Sequence, residues 1–263
     1  MVDKSEKFRW LVRLGFAARG VVYGLIGYLA LSATGGEQGP EGALSYLQEI
    51  PLGVPLLYLA ALGLLGYALY RLCSLLFDIE NHGTDGKGMA YRTGHGASGL
   101  AHLVLAWIAL QLAQGDHEAS GGGAEEAVGT VLSVSFGSLL IGLVGLGFLA
   151  AGAMQANTAV TASFMRQVAA NAPELVKPLG RAGYAARAVV FVIVGWSLMR
   201  SAWFDSTAQV KTLGEAVGSL TGSGTLYTLV AAGLLLFGVF SLLLARYQIV
   251  PDVQRSDLKP SLH

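Results

Sequence analysis

Cysteine is nearly absent from this chain. The single thiol, Cys73, permits no internal disulfide and no cysteine cluster for zinc or iron–sulfur. Charge is scarce as well: 13% of the 263 residues are Asp, Glu, Lys or Arg, about half of what a soluble domain carries. The formal net charge is zero, so the global basic field of a nucleic-acid binder is missing. No nucleophile–base pair, no paired intramembrane carboxylates and no metal-ligand cluster can be read from the spacing. The acidic, Gly- and Ser-rich loops, such as Ser120 to Gly123, are too short for a catalytic domain. No enzyme activity and no cofactor are expected from such a chain.

What is abundant is apolar. Hydrophobic residues make up 53% of the chain, glycine accounts for 36 positions, and mean hydropathy is +0.55. Six stretches reach the roughly 20 apolar residues that a bilayer core requires. They lie near Phe16–Ala33, Leu52–Phe77, Gly96–Ala113, Val131–Met154, Ala185–Trp203 and Leu226–Ala245. The fold class expected is all-α and membrane-integral. The first span, behind Lys4, Lys7, Arg9 and Arg13, has the outline of a signal peptide. The fifth span copies it deep inside the chain, which argues for a resident helix.

Basic residues alternate sides. Fifteen of the 17 Lys and Arg fall before span one, in the loops after spans two and four, in the tail, or at the adjoining helix ends; Arg200 and Lys211 fall opposite. The opposite side holds Glu37, Glu41, Glu49, Asp116, Glu118, Glu125, Glu126, Asp205 and Glu215. The positive-inside rule then places both termini in the cytoplasm, with a bacterial cytoplasmic membrane as the expected location.

The odd spans are copies of one another. Arg13-Leu-Gly15-Phe-Ala-Ala-Arg19-Gly-Val-Val-Tyr23 aligns without a gap on Arg181-Ala-Gly183-Tyr-Ala-Ala-Arg187-Ala-Val-Val-Phe191. The third span reads Arg92-Thr-Gly94-His-Gly-Ala-Ser98-Gly-Leu-Ala-His102, and Tyr28, Trp107 and Trp196 fall in register further on. The even spans align more weakly, on Gly63, Gly147 and Gly233, with Pro51-Leu-Gly53 and Ser135-Phe-Gly137 ahead of the first two. Three parallel two-helix repeats follow: residues 1–78, 79–160 and 161–263, the last with a cytoplasmic tail. Helices one–two, three–four and five–six are expected to form hairpins, in a closed pseudo-threefold bundle or an open row.

The Arg-x-Gly-aromatic-Ala-Ala-Arg helix and the loop Gly83-Thr-Asp85-Gly-Lys87-Gly88 before Arg92 resemble a bacterial membrane family of unknown function catalogued as DUF 1206. The resemblance runs from about Arg9 to Arg246 and implies tandem two-helix repeats, usually three. It implies no activity. The middle copy departs from the pattern at Ser98 and His102.

Candidate ligand- or partner-binding residues are Arg13, Arg19, Arg92, Arg181, Arg187 and His102. Arg13, Arg92 and Arg181 should gather at the cytoplasmic face under threefold symmetry. There they would snorkel to lipid phosphates, or form a site for an anion or acidic partner. Arg19 and Arg187 lie deeper, where an ionisable group usually faces the bundle interior. His102 shares a helix face with His95, but no third metal ligand is evident, so an interhelical hydrogen bond is expected and no metal. Gly94-x-Gly96-x-x-Gly99 matches a dinucleotide fingerprint only as a string, since no strand precedes it. Asp78-x-Glu80-x-His82 opens like a calcium loop, yet Met89 stands where the twelfth-position glutamate is required, so a solvated turn is expected. Glycine pairs such as Gly20 and Gly24 predict close helix packing without a wide pore. An accessory or scaffolding subunit, partnered by membrane lipids and a larger membrane-protein complex, ranks slightly above a small transporter or channel for an anionic or lipid-like ligand.

Overall fold

A computed structural model describes residues 4–32, 40–49, 51, 53–80, 82–115 and 123–249. The expected acidic positions Glu37, Asp116 and Glu118, and the basic tail residues Arg255 and Lys259, lie outside these. Among the described residues the elements are helices and one isolated bridge, with no strand: α1 (Lys4–Ser32), α2 (Pro40–Glu49), α3 (Gly53–Phe77), α4 (Gly86–Ala113), α5 (Gly123–Leu132), α6 (Gly137–Thr161), α7 (Val176–Phe204), α8 (Leu213–Gly218) and α9 (Thr225–Tyr247). Six of them, α1, α3, α4, α6, α7 and α9, are long and apolar enough to cross a membrane.

Several boundaries differ from the sequence reading, α1 among them, which starts at Lys4 and not near Phe16. Helices α4 and α7 start at Gly86 and Val176, well before the expected Gly96 and Ala185. Hydropathy sees only the apolar middle of a helix, whereas backbone hydrogen bonding continues through its polar first turns. At α4 that start is fixed by Asp85, whose carboxylate accepts the Gly88 amide at 2.9 Å. The fourth span, expected from Val131, divides into α5 and α6 at a kink around Ser133–Phe136.

The loops on the acidic side are not plain turns. Each carries a short helix, α2, α5 or α8, between the long helices of one repeat. Ala43, Leu44 and Leu47 of α2 and Val217 of α8 are buried. The chain then turns sharply into the next span at Gly53 and Gly137. A Cβ at either glycine would collide with the carbonyl oxygen of Leu47 or Val131, so only glycine fits.

The long helices pack side by side in the order α6–α7–α9–α1–α3–α4. The row curls, because Arg187 of α7 lies over the ring of Tyr23 on α1, 5.3 Å from its centroid. Within a repeat, α1 packs on α3 and α7 packs on α9. The expected hairpin three–four is not seen among the described residues: α4 packs on α3 and α6 packs on α7, at opposite ends of the row. Among the described residues the result is a curled row of long helices with α4 and α6 at its two ends.

Glycine explains which joints close. Gly15 lies under Tyr67, where an added Cβ would stand 2.7 Å from the Tyr67 Cβ, and Gly183 lies under Phe237 at 2.6 Å. Their counterpart Gly94 meets nothing within 4 Å. Gly63 packs on Ala18, while its counterpart Gly147 has no neighbour. The α6 residue aligned with Tyr67 and Phe237 is Ala151, which offers no ring to grip α4.

Candidate functional site

Two polar clusters occupy the concave side of the curl. The deeper one centres on Arg19, 2% exposed on α1. Its Nη1 donates to the Tyr67 hydroxyl and its Nε to Ser241 Oγ at 3.2 Å, while Nη2 has no partner. The guanidinium also lies over the rings of Phe16, Tyr67 and Phe237, at 4.8, 4.8 and 5.0 Å. Arg187 approaches the same Phe237 ring at 4.7 Å and Phe191 at 5.0 Å, and its Nε is buried without a partner. Neither guanidinium meets a carboxylate among the described residues. Two arginines, effectively always charged, thus share one ring in the bundle interior with their charge balanced only by π faces and hydroxyls.

The shallower cluster lies at the end that carries the α3–α4 and α6–α7 connections. Arg71 Nη1 pairs with Glu80 Oε1 at 2.9 Å, and its Nε donates to the Tyr67 hydroxyl at 2.8 Å. Tyr70 donates to the same Glu80 oxygen at 2.9 Å. Gln167, from the α6–α7 connection, donates to Glu80 Oε2 at 2.6 Å and so ties the two connections together. That connection is held in turn to the end of α9 by a short antiparallel bridge between Val168 and Gln248. Burial alone would raise the Glu80 pKa. The Arg71 guanidinium, reinforced by His82, His95 and Gln167, outweighs it and holds the carboxyl well below the usual carboxylate range. Glu80, Arg71, Tyr67, Arg19 and Ser241 therefore form a continuous polar chain from this end into the interior. A recess of about 260 Å³, counting the part open to solvent, lies along it between Arg19, Arg71, Glu80, Gln167 and Tyr184. Its enclosed part has room for about one water.

Arg92 and Arg181 do different work from this pair. Arg92 donates from Nε to Leu75 O at 3.0 Å and from Nη2 to Leu76 O at 3.3 Å, capping the C-terminus of α3. Arg181 donates to Ala159 O at 2.9 Å near the end of α6. Each positive charge offsets the negative end of a neighbouring helix dipole. Arg13 lies over Trp10 at 5.6 Å. His102 is buried, but its Nδ1 faces Ser98 O of its own helix at 2.7 Å, and its contact across helices is with the Tyr67 ring at 4.6 Å. His95 turns away from His102, toward Glu80.

Sequence reading singled out Arg19 and Arg187 but overlooked Tyr67, Glu80 and Gln167, and it took the Glu80 loop for solvated. Glu80 is in fact 7% exposed at its side chain. The available signal was an acidic residue just past the end of the second span, nine positions after Arg71.

The family described as Domain of Unknown Function (DUF1206) matches the chain three times, at residues 14–74, 93–162 and 182–248. Each match begins one residue after Arg13, Arg92 or Arg181, the same register as the sequence repeat. Uncharacterized protein YxxB of Bacillus subtilis (strain 168) is 30% identical over 260 residues, covering 93% of this chain and 94% of its own. No solved structure matches the chain.

Proposed function

This chain belongs to the DUF1206 family, and from that premise we propose that it is a small transporter or channel for an anionic ligand in the bacterial cytoplasmic membrane, with both termini inside. The observation that carries the reading is the pair Arg19 and Arg187. Buried charges normally have a counter-charge, because desolvation costs several kcal/mol per ion, and an intramembrane ionisable residue points to a functional site. Two guanidinium groups around Phe237, each with a buried N–H unpartnered, fit an anion as the missing partner. The alternation of basic and acidic loops supports the orientation.

Flux through proteoliposomes tests this, with chloride, nitrate and phosphate as probe ions. Wild-type protein should move at least one of them, and Arg19→Gln or Arg187→Gln should slow that ion by tenfold or more. A folded wild-type protein that moves none of the three defeats the reading.

The exposed small residues of α4 and α6 support a second reading, the accessory subunit. Gly94 and Ala97 on α4 and Gly147 on α6 are exposed, and small residues in a membrane helix permit close approach by another helix. A photo-crosslinker at Gly147, activated in native membranes, should capture a stoichiometric membrane protein if α4 and α6 receive a partner. Capture of lipid alone would remove that role.

A further inference from the structure

Repeat two places an imidazole, His95, where the other repeats have Phe16 and Tyr184. The structure brings it beside a second histidine and a carboxylate. Nε2 of His82 lies 3.4 Å from Glu80 Oε2, and Nε2 of His95 lies 3.6 Å from the same oxygen. One ligand atom from each of the three residues falls within 4.8 Å of the others. We propose that Glu80, His82 and His95 bind a divalent transition-metal ion, with zinc the best match.

The distances suit zinc. Two ligands at 2.0–2.1 Å from a tetrahedral ion stand about 3.3–3.4 Å apart. Both Glu–His separations are already close to that, and only the two imidazoles must draw together. The donor set, two imidazoles and one carboxylate, is one that zinc accepts with a fourth position left for water or another ligand.

The surroundings hold the ligands in place, as outer-shell groups do at metal sites. Glu80 Oε1 is fixed by Tyr70 and Arg71, which leaves Oε2 turned toward the histidines. The Asp78 carboxylate accepts the amides of His82 at 2.8 Å and Gly83 at 2.7 Å, shaping the loop. The His82 ring stacks on Tyr91 with centroids 4.9 Å apart. His82 Nε2 is buried and makes no hydrogen bond. Gln167 donates to the same Glu80 oxygen, Oε2, at 2.6 Å; with its amide turned end for end, its oxygen would be the candidate fourth ligand. A bound ion would then replace the present Gln167–Glu80 hydrogen bond as the tie between the two connections. The proposal stands independently of anion transport.

Titration calorimetry with zinc chloride, on full-length detergent-purified protein stripped with a chelator, tests the site. One ion should bind per chain. His82→Gln and His95→Gln should each weaken binding at least tenfold, while Cys73→Ser leaves it unchanged. His82 lies on the loop outside the long helices, so its variant reports even if His95→Gln fails to fold. The proposal is overturned if wild-type protein shows no zinc binding, or if folded His82→Gln binds zinc as tightly as wild type.

Discussion

Repeats one and three differ from repeat two in what covers their glycines. In the outer repeats a large ring, Tyr67 or Phe237, closes over Gly15 or Gly183, and Gly63 or Gly233 seats on Ala18 or Ala186. In the middle repeat the same backbone plan carries Ala151 in place of the ring, and both glycines are bare. Its odd helix also exchanges arginine for Ser98 and aromatic rings for His95 and His102. Only 22% of the apolar window of α6 is buried, against 61% for α1. One ancestral unit thus supplies two packed hairpins and one that is pulled open, each half packed on a neighbouring repeat. Duplication preserves the helices; a few large-to-small changes decide which of them pair.

The greatest effect is expected at the polar cluster that repeat two joins through His95. Glu80→Ala strands the buried Arg71 and should cost about 3–5 kcal/mol, seen as a lower midpoint of thermal unfolding in detergent. Because the folded-state pKa of Glu80 is depressed, its contribution is complete at neutral pH. It fades as pH falls through and below the ordinary carboxylate value of about 4.3. Wild type should therefore lose more stability than Glu80→Gln between about pH 5 and pH 3; equal losses would show that the ion pair contributes nothing.

Next come the glycines, which contrast the repeats directly. Gly15→Ala and Gly183→Ala drive a methyl into a neighbouring helix and should each cost about 1–3 kcal/mol. Gly94→Ala should be nearly neutral by the same unfolding assay. A large penalty at Gly94 would mean that α4 has a neighbour after all.

The smallest effects belong to the feature that all three repeats share. Tyr28, Trp107 and Trp196 project outward, with exposures of 50, 60 and 61%. Replacing any one by leucine should change stability by no more than about 0.5 kcal/mol, with equal outcomes at the three positions. A penalty confined to Trp107 would single out repeat two once more.

Much of this was legible beforehand. Six spans, three copies and their register follow from hydropathy and from Arg-x-Gly, since local composition sets both. Interior placement of Arg19 was foreseeable from its depth in a span. Convergence of Arg71, Glu80, His82, His95 and Gln167 was not, because it depends on how two connections far apart in the chain meet at one end. His95 looked like a partner for His102 by helical spacing, yet the two rings serve different neighbours.

By itself, then, the sequence determined the membrane-spanning helices and the repeat, because each depends on residues within one turn or one span. Tertiary structure alone decided that α4 and α6 pack on α3 and α7, that two arginines share Phe237, and that a carboxylate meets two histidines. Those outcomes depend on side-chain volume and charge matched across helices, and no local pattern records that.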